Sequence, residues 1–120
     1  MHKMLLLTAL ATGVGMIAVA QDNSEYQGWM KSMNPSVRAI RGAADAAAAA
    51  PEAAKLADTF DKIAQFWKAK GADDAVQMSE TSRDAAKAIA TGGDKAENLQ
   101  KIQAQCNACH MAHRDGSNIK

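Results

Sequence analysis

A chain of 120 residues holds one small domain and no more. Only 4% of it is aromatic and alanine is abundant, so a core built from its own side chains is thin. The formal net charge is +1; without the leader that contains Lys3, 13 basic residues balance 13 acidic ones, which gives no electrostatic hold on nucleic acid or an anionic membrane.

The chain opens as an export leader would. Lys3 precedes an apolar run from Met4 to Val19, which ends in Ala18-Val19-Ala20, a small-x-small cleavage pattern. Residues 1–20 are expected to be removed as a signal peptide, leaving Gln21 at the start of a domain over residues 21–120. The alternative is a membrane anchor. The run is short for one, is broken by Thr8, Thr12, Gly13 and Gly15, and is followed by polar residues. No later apolar stretch is long enough to span a bilayer, so no membrane contact is expected of the mature form.

Four helices follow. Ser24 with Gln27 reads as a capping-box start of the first. Tyr26, Met30, Met33, Val37 and Ile40 form its apolar stripe, and Gly42 lies near its end. Pro35 predicts a kink or a short break near Asn34. The alanine run 45–50 is a helical extension or a connector, and Pro51 suits the first position of the second helix. Leu56, Phe60, Ile63 and Trp67 are its stripe, flanked by Phe66, with Gly71 as the stop. Asp73 or Asp74 can cap the third, whose inward stripe is Ala75, Met78, Ser82, Ala85 and Ile89. Gly92-Gly93 ends it, and Asp94 with Glu97 starts the fourth. No segment alternates with period two, so no strand is expected. The fold class is all-α, an antiparallel four-helix bundle.

The fourth helix carries the densest chemistry: Cys106-Asn107-Ala108-Cys109-His110. Two thiols three residues apart, with an imidazole immediately after, is the attachment pattern of a c-type haem. On a helix the thiols share a face and can each form a thioether with a vinyl group, while the imidazole supplies the proximal iron ligand. A disulfide, a redox-active thiol pair and half of a zinc site are the rivals. A redox pair lacks its βαβ context, and zinc lacks further ligands, since the domain has no third cysteine and only His113 besides. A buried haem would also supply the apolar body that the alanine-rich core is missing.

With that motif near the C-terminus, the chain resembles the cytochrome c′ family of four-helix-bundle haem proteins. The resemblance covers residues 24–114 and includes Arg114 four residues after His110, the pair Met30-Lys31 on the first helix and the pair Phe66-Trp67 closing the second. A tyrosine commonly precedes that arginine in the family; here the residue is His113. The resemblance implies one covalent haem c with its iron, an extracytoplasmic (periplasmic) location, and often a homodimer. In some members an apolar side chain blocks the sixth iron position, and the five-coordinate iron binds nitric oxide or carbon monoxide. In others a methionine of the first helix ligates it, giving a low-spin electron carrier.

Geometry narrows the distal residue. Met111 and His113 share the short helical stretch of His110 and cannot reach the other haem face. That leaves Met30, Met33 and Met78, of which Met30 also matches the family position. Met30 either ligates iron or packs in the core. Tyr26, Met33, His113 and Arg114 are expected to line the pocket, Arg114 as the partner of a propionate or as a solvated helix-terminal charge. The expected function is single-electron transfer to redox partner proteins, without enzymatic turnover. The rivals are a five-coordinate gas-binding haem protein and a haem-free bundle with a disulfide.

Overall fold

The computed structural model describes the backbone of residues 10–115 and 118–119, and the side chains of 24–114 and 119. Residues 1–9 of the expected leader lie outside the described residues. The chain is all-α in its bulk: α1 (Leu10–Gly42), α2 (Ala46–Lys70), α3 (Asp73–Ala90) and α4 (Lys95–His113), joined by short connections. Among the described residues no helix is long and apolar enough to cross a membrane.

The first helix departs from its expected limits. Ser24 is not an N-cap, because α1 runs unbroken from Leu10 and holds Ser24 in its interior. No glycine or proline lies between Gly15 and Gly28 to stop it, and a helix without a breaker propagates. Pro35 causes no break either. It removes one backbone donor, but Met33 and Ile40 are buried on either side, and the Ser36 hydroxyl donates to Glu52 Oε1 at 2.6 Å. Tertiary anchoring outweighs a single lost hydrogen bond there.

Helix α2 starts earlier than Pro51. Asp45 is its N-cap, and the carboxylate accepts from the Ala48 N–H at 2.8 Å. The alanine run is therefore the helix's own first turns, as its propensity favours, and Pro51 lies inside. Replacing Asp45 with alanine is expected to lower stability by about 1 kcal/mol, read from the urea midpoint. Gly71 ends α2 in the left-handed region, φ 74°, a conformation that a side chain disfavours. Neither Asp73 nor Asp74 caps α3; Ala72 holds that position without a side-chain bond, and both aspartates sit in the first turn. Asp94 caps α4 as expected, accepting from the Glu97 N–H at 2.7 Å. Gly93 is needed just before it, because a Cβ would lie 2.7 Å from the Ala88 carbonyl oxygen.

The helices run antiparallel. Tyr26, midway along α1, stacks on Phe66 near the end of α2, with ring centroids 4.4 Å apart, while Ser36 further along α1 bonds Glu52 near the start of α2. At the opposite end, the Lys95 ammonium donates to the carbonyls of Arg41 and Ala43, tying the start of α4 to the end of α1. The core holds Ile40, Leu56, Ile63, Ile89 and Ile102, with alanines at 49, 53, 57, 75, 85 and 86 letting helices approach closely. Helices α2 and α3 share the longest seam, whereas α1 and α4 meet less closely and leave a groove between them. A feature absent from the expected plan is a two-residue antiparallel ladder, β1 (Arg114–Asp115) with β2 (Asn118–Ile119). It folds the C-terminus back so that Ile119 packs on the core.

Candidate functional site

The groove between α1 and α4 encloses about 500 Å3, within the usual range for a bound organic group. Its wall on α1 is Tyr26, Met30, Met33 and Val37; Phe60 of α2 contributes from behind. Its wall on α4 is Ile102, Cys106, Cys109 and His110, and His113, Arg114 and Ile119 close one end. Every residue expected at the pocket from the sequence is therefore brought to one place. A smaller cleft of about 20 Å3 continues behind it, past Met78, Ser79 and Ser82. Met30 and Met33 line both spaces together with the two cysteines and His110.

Both cysteines are free thiols. Burial raises the pKa of Cys106, and burial, with the nearby Cys106 and Asp74 charges, pushes the Cys109 thiol up to about 11. Their positions on a continuous helix set Cβ atoms about 5–6 Å apart, wider than the separation of about 3.5–4.5 Å that a disulfide needs. His110 is half-buried; burial first, and the Arg114 charge second, lower its pKa, so the imidazole is held neutral with a lone pair available to a metal. Among the described residues no three of His, Cys, Asp and Glu are placed to hold a bare metal ion.

An aromatic cluster backs the groove. Trp67 meets Tyr26 edge-on at 5.6 Å and lies against the His113 ring at 4.7 Å. Burial drives the Tyr26 phenol well above its ordinary range. Trp67 Nε1 itself is buried without a hydrogen-bond partner among the described residues.

Sequence reasoning missed two contributors. Asp74, placed as a possible cap, instead joins α3 to α4: its Oδ2 lies 2.8 Å from His113 Nε2. Nothing in the sequence separation of 39 residues announces that pair. Ile119 is the second, and the dipeptide Asp115-Gly116 before it was a readable turn signal. The His113 bond is the first cause of a lowered Asp74 pKa, below 3.8. A carboxyl lowered on folding adds stability above its ordinary pKa, and this is lost as pH falls through the lowered value. His113→Ala is therefore expected to return Asp74 toward its ordinary titration, read by carboxyl NMR, the two titration curves separating as pH falls toward about 4 and below.

Comparison of the chain with protein-family models, with curated proteins and with solved structures returns no match in any of the three.

Proposed function

We propose that this chain is a mono-haem c-type cytochrome of the cytochrome c′ kind, working outside the cytoplasm as a carrier of single electrons. The observation that carries the reading is the convergence of Cys106, Cys109 and His110, from one turn of α4, onto one groove with an apolar floor. The residues suit the group. A macrocycle brings its own equatorial nitrogens, so the chain need supply only an axial imidazole and not a complete set of metal ligands. The apolar surroundings that penalise a thiolate at Cys109 cost an uncharged thioether little. Among the described residues no aspartate or glutamate lines the groove, while Lys31 and Arg114 do, which suits an apolar body with acidic edge groups.

When bound, the haem supplies the one-electron redox chemistry. Cys106 and Cys109 would hold the group through their sulfurs and His110 would ligate its iron, while Met33, Val37, Phe60 and Ile102 keep water from the groove. Met30 stands on the wall across from α4 and is the proposed distal ligand. A specific observation keeps the gas-binding reading alongside: Val37 and Phe60 offer the same space apolar side chains that cannot ligate.

The test is to express the full chain with export and haem attachment, then denature it. The expected result is haem that stays with the polypeptide on a gel, one haem of added mass, and an N-terminus at Gln21. Colour removed by acid-acetone extraction would refute covalent attachment.

A further inference from the structure

The small cleft behind the groove is rich in one element. At about 20 Å3 it has room for a single ion or a body the size of water. Met30 and Met33 of α1, Met78 of α3, and Cys106 and Cys109 of α4 all border it, with His110 beside them. Of the sulfur-bearing side chains described, only Met111 lies elsewhere, exposed to solvent. Three helices far apart in sequence thus deliver their sulfurs to one cleft. Packing alone does not call for this. Methionine is a flexible filler that follows the shape of a gap and closes it, whereas these sulfurs border a gap that they leave open.

The chemistry of the lining selects what can bind. The Ser79 and Ser82 hydroxyls donate to the Ala75 and Met78 carbonyls of their own helix, at 2.7 and 2.9 Å. Among the described residues no carboxylate lines the cleft, so a hard cation such as calcium or magnesium lacks its charged ligands there. Zinc wants histidine, cysteine and carboxylate gathered together, and no three of these are so placed among the described residues. Thioethers and thiols instead select Cu(I), a soft ion. One thiolate balances its single charge. The ion and its ligands then sit in the apolar cleft as a neutral unit, and thioethers complete the shell without adding charge.

We infer that the haem-free chain binds a Cu(I) ion in this cleft, through cysteine thiolate from α4 and methionine thioethers from α1 and α3. Copper stays in the +1 state throughout. A cysteine S–H bond breaks, a Cu–S bond forms, and the proton passes to water. Burial raises both thiols, so the ion must displace a proton rather than meet a ready thiolate. The inference uses the sulfurs that the haem reading uses, but it does not need haem to be attached. Because Cys106 and Cys109 border both the groove and the cleft, the two occupants exclude one another. Copper is held only before attachment and competes with it.

The test uses the full chain exported in a host without haem-attachment machinery, reduced, desalted and kept anaerobic. Cu(I) is supplied as its bicinchoninate complex with ascorbate, and loss of the complex's colour reads transfer to the protein. About one equivalent is expected to transfer, and X-ray absorption of the unmodified chain is expected to show a shell dominated by sulfur. Met30→Leu with Met33→Leu and Met78→Leu keeps the lining apolar and is expected to weaken binding about tenfold or more. Cys106→Ser with Cys109→Ser is expected to abolish it, which also reads any binding by methionines of the leader. Met111→Leu should change nothing, and urea midpoints of all variants show that the fold is kept. Absence of transfer, binding that survives the three leucines, a shell of nitrogen or oxygen, or displacement of Cu(I) by Zn(II) would overturn the inference. Haem is read separately, on protein exported with attachment, which is expected to take up no Cu(I); uptake equal to that of the haem-free chain also overturns the cleft assignment. Cu(I) transfer without covalent haem in that second protein removes the haem reading and leaves the copper site. Covalent haem without Cu(I) transfer in the first removes the copper site and leaves the haem.

Discussion

Replacing both Cys106 and Cys109 by serine is expected to yield a chain that carries no haem through denaturation, whereas the unmodified protein is expected to carry one. The effect should be all or none, because a thioether has no weaker substitute in a hydroxyl. His110→Ala should keep the covalent bonds, since both sulfurs remain, yet lose the native spectrum, since the axial imidazole is gone. His113→Ala is the control. His113 lies one turn further along α4, at the end of the groove, and is engaged with Asp74 and the Trp67 ring. Its loss should shift the spectrum slightly and leave the proximal ligand in place. Equal damage from the two histidine variants would contradict the assignment of His110. Mass and visible absorbance of the three variants, measured beside the parent, decide the matter.

These expectations were open to sequence reasoning because the chemistry is local. Cys106, Cys109 and His110 need only a helix to come together, and the capping pair Asp94 and Glu97 announces that helix. The stripes of α1 and α2 were legible for the same reason: period and burial agree at Tyr26, Met33, Ile40, Leu56, Phe60, Ile63 and Trp67. Helix limits were less legible. Ser24 has the chemistry of a cap, but a cap acts only where the preceding chain leaves the helix, and α1 does not leave it there. Pro51 has the chemistry of a first-turn residue, but Asp45 offered its carboxylate earlier. What could not be read was long-range. The bond between Asp74 and His113, and the return of Ile119 to the groove, depend on how the bundle closes, which no local period encodes.

On the proposed haem reading the distal side decides between electron carrier and gas binder, and Met30→Ala is the variant that resolves it. Met30 is half-buried and lines the groove opposite Cys106, Cys109 and His110. Its thioether can ligate iron, and in doing so raises the reduction potential. If it ligates, the reduced protein is low-spin and takes up carbon monoxide slowly, because the gas must first displace the sulfur. Met30→Ala is then expected to turn the protein high-spin and speed carbon monoxide uptake by orders of magnitude. Met33→Ala is the informative comparison, because Met33 lines the same groove from a more buried position. Its loss removes packing and is expected to cost about 2–5 kcal/mol of stability without changing the spin state. Met78, which borders only the smaller cleft, should affect neither property strongly. A parent protein already high-spin when reduced, with fast carbon monoxide uptake that Met30→Ala leaves unchanged, would make Met30 a packing residue. The groove would then hold five-coordinate iron behind an apolar wall of Met33, Val37 and Phe60, and the function would be gas binding.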